Sequence, residues 1–208
     1  MAVASVQDRV KAVATAVAVA AAAAACGGPA DRDGWTVTVY YTAVAAYHDG
    51  PAQRVTGCPR LDCGPGDADA GADLGTYPEG FVTAVRTEGT GRTGDGRYLN
   101  WSVDTGYWLD TAPRDSAGGT LQPWQTAAAD ADALPAGSRF LIVHCGQEEV
   151  DPDVCTRLRG SRWTVRDEFT PGLGGSRHVD VYIGEETGPG FTGSAWYVTL
   201  HGARLEIT

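Results

Sequence analysis

The sequence predicts a mainly β fold, a small barrel or sandwich in a single domain, on three observations. Glycine and proline are abundant, 28 and 11 of 208 residues, which calls for many turns and a loop-rich chain. Hydrophobic residues make up 43% against 20% charged, enough for a proper core and unlike a disordered or collagen-like chain. Short β-branched and aromatic runs recur between turn formers: Trp35–Thr42, Arg139–Val143, Trp163–Arg166, His178–Ile183, Trp196–Leu200 and Ala203–Ile207.

The chain begins with Arg9 and Lys11 ahead of an uncharged, Ala- and Val-rich run of 14 residues, Ala12 to Ala25, that stops at Cys26-Gly27-Gly28. A helix of that length reaches only ~21 Å, too short for a hydrocarbon core of ~30 Å. It reads as the apolar region of a signal peptide over 1–25, followed by a tether over 26–34. Ala23-Ala24-Ala25-Cys26-Gly27 resembles the lipobox of bacterial lipoproteins, with Cys26 as the lipidated residue; ordinary cleavage after small residues is the other reading. Either way the protein is expected outside the cell membrane, lipid-anchored on its outer face or secreted.

Five cysteines are an odd number for an exported protein, and assigning Cys26 to lipid leaves Cys58, Cys63, Cys145 and Cys155. Their short spacings favour Cys58–Cys63 and Cys145–Cys155 as local staples, one of three possible connectivities. Zinc-finger spacing is missing and no His stands at ligand distance from either pair, so no metal is expected.

Residues 35–208 read as one domain. Trp35–Thr42 is its first strand, and Asp49-Gly50-Pro51 ends the short segment after it. A long insertion over about 48–125 separates it from the later strands. Within it, Val55–Gly75 reads as a loop. Its acidic tract alternates Asp67 and Asp69 like a calcium loop, but Gly71, Ala72 and Pro78 fall where a ligand, the turn glycine and the bidentate Glu belong, so it reads as solvated surface. The aromatics Tyr98, Trp101, Tyr107, Trp108 and Trp124 are either core or a wall on which sugar rings pack.

The most informative strand is His178-Val179-Asp180-Val181-Tyr182-Ile183. Period two places Val179, Val181 and Ile183 on one face and His178, Asp180 and Tyr182 on the other. Upstream, Asp167 ends the preceding strand and Pro171–Gly175 makes a glycine-rich connection. The net charge of −10 excludes a nucleic-acid surface, which needs Lys and Arg to neutralise phosphates. No Gly-x-Ser-x-Gly nucleophile elbow is present.

Three blocks in this order resemble the three-aspartate (3D) domain, the double-psi β-barrel shared by membrane-bound lytic transglycosylase A and stationary-phase survival and resuscitation-type peptidoglycan hydrolases. Asp130 stands five residues before Pro135 in Asp130-Ala131-Asp132-Ala133-Leu134-Pro135-Ala136-Gly137; Asp167 opens the stretch leading to Leu173-Gly174-Gly175; Asp180 lies in Val179-Asp180-Val181-Tyr182. The opening strand ending Tyr40-Tyr41-Thr42-Ala43 is similar to the family's first barrel strand. The chain departs from the pattern where Asp167-Glu168-Phe169 replaces the usual Asp-Thr-Gly start, and where the insertion lies.

The resemblance implies a six-stranded double-psi barrel that cleaves peptidoglycan glycan strands as a lytic transglycosylase. It implies Asp180 as the sole acid/base, Asp167 and Asp130 as carboxylates that keep it protonated, and Thr42, Gly174, Gly175 and Tyr182 as glycan contacts. No cofactor is implied. A monomer is expected in either case, and the alternative function is a non-catalytic envelope lipoprotein that holds glycan or a partner protein in the same groove.

Overall fold

The computed structural model describes residues 33–61, 63, 67–147 and 149–208. The signal segment, most of the tether and Cys26 lie outside the described residues.

Six strands close a barrel. These are β1 (Trp35–Val44), β7 (Thr126–Ala129), β8 (Arg139–His144), β9 (Trp163–Asp167), β10 (His178–Glu185) and β11 (Leu200–Ile207). They pair in the order β1-β10-β7-β9-β8-β11 and back to β1. The β1–β10 and β7–β9 pairs are parallel and the other four antiparallel, so the barrel is mixed. Closure removes the open edges that a six-stranded sheet would otherwise expose. The barrel is the double-psi fold expected from the motif order.

Alternation along the strands fills the interior. Val37, Val39, Tyr41 and Ala43 of β1 meet Val179, Val181 and Ile183 of β10, with Phe140 and Ile142 of β8, Trp163 and Val165 of β9, and Leu205 of β11. The opposite face of β1 and β10 carries Thr38, Tyr40, Thr42, His178, Asp180 and Tyr182, and that face is covered by residues 45–125. Tyr40, Tyr182 and Leu121 form a small separate cluster there.

Residues 45–125 hold a hairpin of β2 (Ala52–Gly57) and β3 (Ala72–Pro78), a helix α1 (Glu79–Glu88), and the strands β4 (Thr90–Arg92), β5 (Tyr98–Ser102) and β6 (Gly106–Asp110). The last three extend the barrel sheet through a short parallel pairing of Ala43 and Val44 with Gly91 and Arg92. Helix α1 buries Phe81, Val82 and Val85 and ends at Gly89 in the left-handed region, at φ 84°. Gly91 faces Phe81 and Val85 so closely that a side chain there would displace them.

Three sequence expectations change. Val55–Gly75 is not loop throughout, because β2 and β3 pair across it from Ala52–Pro78 to Gly57–Ala72. Trp196–Thr199 is irregular; one strand runs from Leu200 to Ile207, with Gly202 at φ 72°. Two helices stand where the sequence pattern marks none, α1 and α2 (Pro152–Arg159), the latter capped by Asp151 accepting from the Asp153 and Val154 amides. Both staples form as expected: Cys58 is bonded to Cys63 and Cys145 to Cys155, which ties the end of β8 to α2.

Candidate active-site groove

The groove lies between the outer face of the barrel and the insertion and encloses ≈ 390 Å³. Its barrel wall is Thr38, Tyr40, Ala128, Asp167, His178 and Asp180. The insertion supplies Glu88, Trp101 and Ser116 among others, and Tyr197, before β11, also lines it.

Strand register explains why two carboxylates meet here. Asp180 on β10 is in register with Thr38 on β1 and with Ala128 on β7. Ala128 is in turn in register with Asp167 on β9. The β7–β9 pairing slips between Ala127–Val165 and Ala128–Asp167, so Arg166 is left over. Trp163 and Val165 point into the core, and simple alternation would send Asp167 inward after them. The bulge turns it outward onto the groove face instead, the re-aiming that bulges perform. A row Thr38–Asp180–Ala128–Asp167 thus crosses the barrel, with the small Ala128 leaving space between the two acids.

The two carboxylates differ in environment. Asp167 is held by donors: the Tyr40 hydroxyl donates to Oδ2 at 3.0 Å, and the Ser116 and Glu168 amides donate to Oδ1 at 2.8 and 3.0 Å. Burial raises its pKa and these three donors oppose the rise. Ser116 reaches it because Asp115 folds residues 115–119 into a tight turn, accepting from the Ala117 and Gly119 amides at 3.2 and 2.6 Å.

Asp180 has fewer partners. Burial pushes its carboxyl from an ordinary 3.8 up to about 7; the Thr38 hydroxyl and Val181 amide oppose this, and the Asp167 charge adds to it. Its Oδ1 is buried without a hydrogen-bond partner among the described residues. Thr38 also meets His178 Nε2 at 2.9 Å, and the His178 ring stacks on Phe169 with centroids 4.5 Å apart. An acid that is half neutral at about pH 7, on a residue that lines the groove, is equipped to give and take a proton near neutral pH.

The other expected residues are placed elsewhere. Asp130 follows β7, and its carboxyl packs against Gly174 so closely that no Cβ fits there; neither lines the groove, nor does Gly175, although Leu173 does. Thr42 and Tyr182 are 0% and 1% exposed and bonded to each other at 2.6 Å, so both are sealed under the insertion with no surface for a ligand. Trp101 and Trp108 both line the groove, Trp108 almost wholly buried and Trp101 partly exposed, with the Arg86 guanidinium 5.7 Å from the Trp101 ring centre. Among the described residues no cluster of His, Cys, Asp or Glu is arranged to hold a metal ion.

Sequence reasoning missed Glu88, the last residue of α1. It is buried, accepts from the Tyr41 amide at 3.3 Å and the Tyr197 hydroxyl at 3.1 Å, and lines the groove. Nothing at sequence level marks it beyond its place before the helix-ending Gly89.

No family model and no curated protein matches the chain. Among solved structures, Escherichia coli MltA with bound chitohexaose superposes on 83% of this chain and 70% of its own, with TM-score 0.52 and 13% identity. A membrane-bound lytic murein transglycosylase from Agrobacterium tumefaciens covers 83% and 73% at TM-score 0.49 and 13% identity. MltA from Neisseria gonorrhoeae covers 82% and 71% at TM-score 0.45 and 12% identity. At these identities the likeness is one of fold, and the first of them carries it: the barrel is shared with MltA lytic transglycosylases.

Proposed function

We propose that this protein is an exported enzyme that cleaves peptidoglycan glycan strands as a lytic transglycosylase, with Asp180 as its single acid/base. The observation that carries the reading is the Asp180 carboxyl, raised to about 7 on a barrel strand and facing a groove of ≈ 390 Å³. That volume falls within the ~300–1,000 Å³ usual for small-molecule sites. The likeness to MltA with bound chitohexaose supports a glycan as occupant.

Protonated Asp180 donates to the glycosidic oxygen as the C1–O bond breaks through an oxocarbenium-like state. The resulting carboxylate takes the proton from the C6 hydroxyl as O6 closes on C1. One carboxyl therefore serves both steps, the glycan ends in a 1,6-anhydro ring, and no second carboxylate is needed to activate water. The Asp167 charge raises the Asp180 pKa and so delays its deprotonation.

Digestion of purified sacculi by the protein, with products read by mass spectrometry, tests this. Anhydro-ended fragments from the wild type and none from a folded Asp180→Asn variant support the reading; a wild type that releases no such fragment overturns it. The rim favours a second reading, binding without cleavage: Val103 and Leu173, 54% and 64% exposed, are apolar and line the groove. Sacculus binding that survives Asp180→Asn, with no cleavage by either protein, would select it. Lipid attachment at Cys26 is part of the proposal, and the mass of the mature N-terminus tests it.

A further inference from the structure

The groove holds a buried acid that the reaction above does not use. Glu88 is 8% exposed and sits at the end of α1, where Gly89 terminates the helix and turns the chain into β4. Both its oxygens are engaged, Oε2 by the Tyr41 amide and Oε1 by the Tyr197 hydroxyl. No cation is paired with it among the described residues. A buried carboxyl with donors but no counter-ion is costly to keep charged, so it is an unusual choice for a helix end with a structural role alone.

We propose that Glu88 is a positioning residue for the Asp180 site: it fixes the Tyr197 ring that lines the groove, and its protonation is linked to that of Asp180. The inference rests on the function proposed for the groove and deepens it. The insertion, through one side chain, is then coupled to the charge state of the barrel carboxyl.

Three elements bring titratable groups to Glu88. Strand β1 presents Tyr41, β10 and the residue after it present Asp180 and Glu186, and the segment before β11 presents Tyr197. Glu186 is itself held by His48 at 2.6 Å and by the Val44 amide. Burial pushes Glu88 from an ordinary 4.5 to about 8, and the Asp180 charge is the next contributor. Linkage is reciprocal, so an ionised Glu88 must hold the Asp180 proton in the same measure. Tyr197 transmits the geometric part. Its ring stands edge-on to Tyr41 at 5.7 Å while its hydroxyl is tied to Glu88, so the tie fixes the ring within the groove wall.

Carboxyl carbon NMR titration of the full chain tests the linkage without using activity. In Asp180→Asn the Glu88 midpoint is expected to fall by ~0.5 unit or more, the scale of a nearby like charge. In Glu88→Gln, Asp180 is expected to lose the second inflection that Glu88 imposes on it. Should Asp180→Asn not fold, the Glu88→Gln titration decides alone. Tyr197→Phe is expected to leave the Asp180 midpoint near its wild-type value and to raise KM for sacculi more than it lowers kcat. A Glu88 midpoint indifferent to Asp180, or an Asp180 curve unchanged in Glu88→Gln, overturns the inference even if the wild type cleaves glycan. A wild type that cleaves nothing yet shows the linked titration overturns the proposed function and leaves the linkage standing.

Discussion

Asp167 and Asp180 share one neighbour in the sheet: each is in register with Ala128, so the two acids flank it on the same face of the barrel. The spacing is that of two adjacent strand gaps, ~9–10 Å between backbones, with side chains free to lean closer. At that range the carboxylates influence each other without sharing a proton, and the partner with more hydrogen-bond donors is the easier to ionise. Asp167, with three donors, takes that part.

Replacing Asp167 by Asn is therefore expected to act on Asp180 in a fixed direction. The Asp167 charge raises Asp180, so its removal lowers the Asp180 midpoint from about 7. The alkaline limb of the pH–activity profile moves to lower pH while the maximal rate changes little. Asp167→Ala adds a structural cost, because the Ser116 amide and Tyr40 hydroxyl lose their acceptor. That loss is ~2–3 kcal/mol, read as a lowered midpoint in denaturant. A limb that moves alkaline in Asp167→Asn contradicts the arrangement.

Stability should fall as pH rises through neutrality. Asp180 and Glu88 ionise at about 7 and about 8 in the fold, against ordinary values of 3.8 and 4.5. Between the unfolded and folded values the native state binds the extra protons, so raising pH favours unfolding. The stabilisation is complete below pH ~4 and is lost by pH ~8, with a slope of at most ~1.4 kcal/mol per pH unit for each group. Thermal melts across pH 4.5 to 9 should show the decline, and Asp180→Asn or Glu88→Gln should each flatten part of it. A melting temperature rising over that range contradicts the burial of these acids.

The sequence made the barrel legible where strands alternate and left it obscure where they do not. His178–Ile183 reads correctly because its two faces differ in chemistry. Strand β7, Thr126–Ala129, carries three alanines, which favour helix, and becomes a strand only because β10 and β9 hold it on both sides. Helix α1 offers Phe81, Val82 and Val85 on one face, but its β-branched residues hide that signal. Asp180 is visible as a motif residue. Asp167 is visible in the motif too, yet its outward aim depends on a bulge in the pairing with β7, and register between strands so far apart in the chain is not written in either strand alone. Glu88 is invisible for the same reason: only folding carries the end of α1 to the barrel face.

The two disulfides should contribute unequally. Cys145–Cys155 spans ten residues and anchors α2, whereas Cys58–Cys63 spans five within the insertion. Loop entropy gives ~2.7 kcal/mol for the longer closure and ~2 kcal/mol for the shorter. Paired Cys→Ser variants measured in urea should rank in that order. Since Cys58 and Cys63 pack on Trp108 beneath the groove, their loss should also alter its fluorescence.

Trp101 should matter to a bound glycan more than to the fold. It is only partly buried, faces the groove, and its ring is already organised by Arg86. Trp101→Ala is expected to weaken chitohexaose binding by ~2–10-fold, the worth of one aromatic face at ~0.5–1.5 kcal/mol, in a calorimetric titration. Unchanged affinity would place the glycan elsewhere.

Tyr182 and Thr42 provide the opposite contrast, since the motif resemblance makes them glycan contacts and the geometry seals them. Tyr182→Phe keeps the ring against Tyr40 and Leu121 and removes only the hydroxyl that meets Thr42 Oγ1 at 2.6 Å. The Thr42 hydroxyl is then buried without that partner, at a cost of ~1–3 kcal/mol. Thr42→Ala should cost a similar amount, and the double variant less than the sum, with a coupling of ~1 kcal/mol from the shared bond. Neither residue lines the groove, so kcat/KM on sacculi should stay within about twofold of wild type at temperatures well below melting. A larger loss with stability intact would mean that substrate reaches beneath the insertion, and that residues 45–125 open over the barrel face during the reaction.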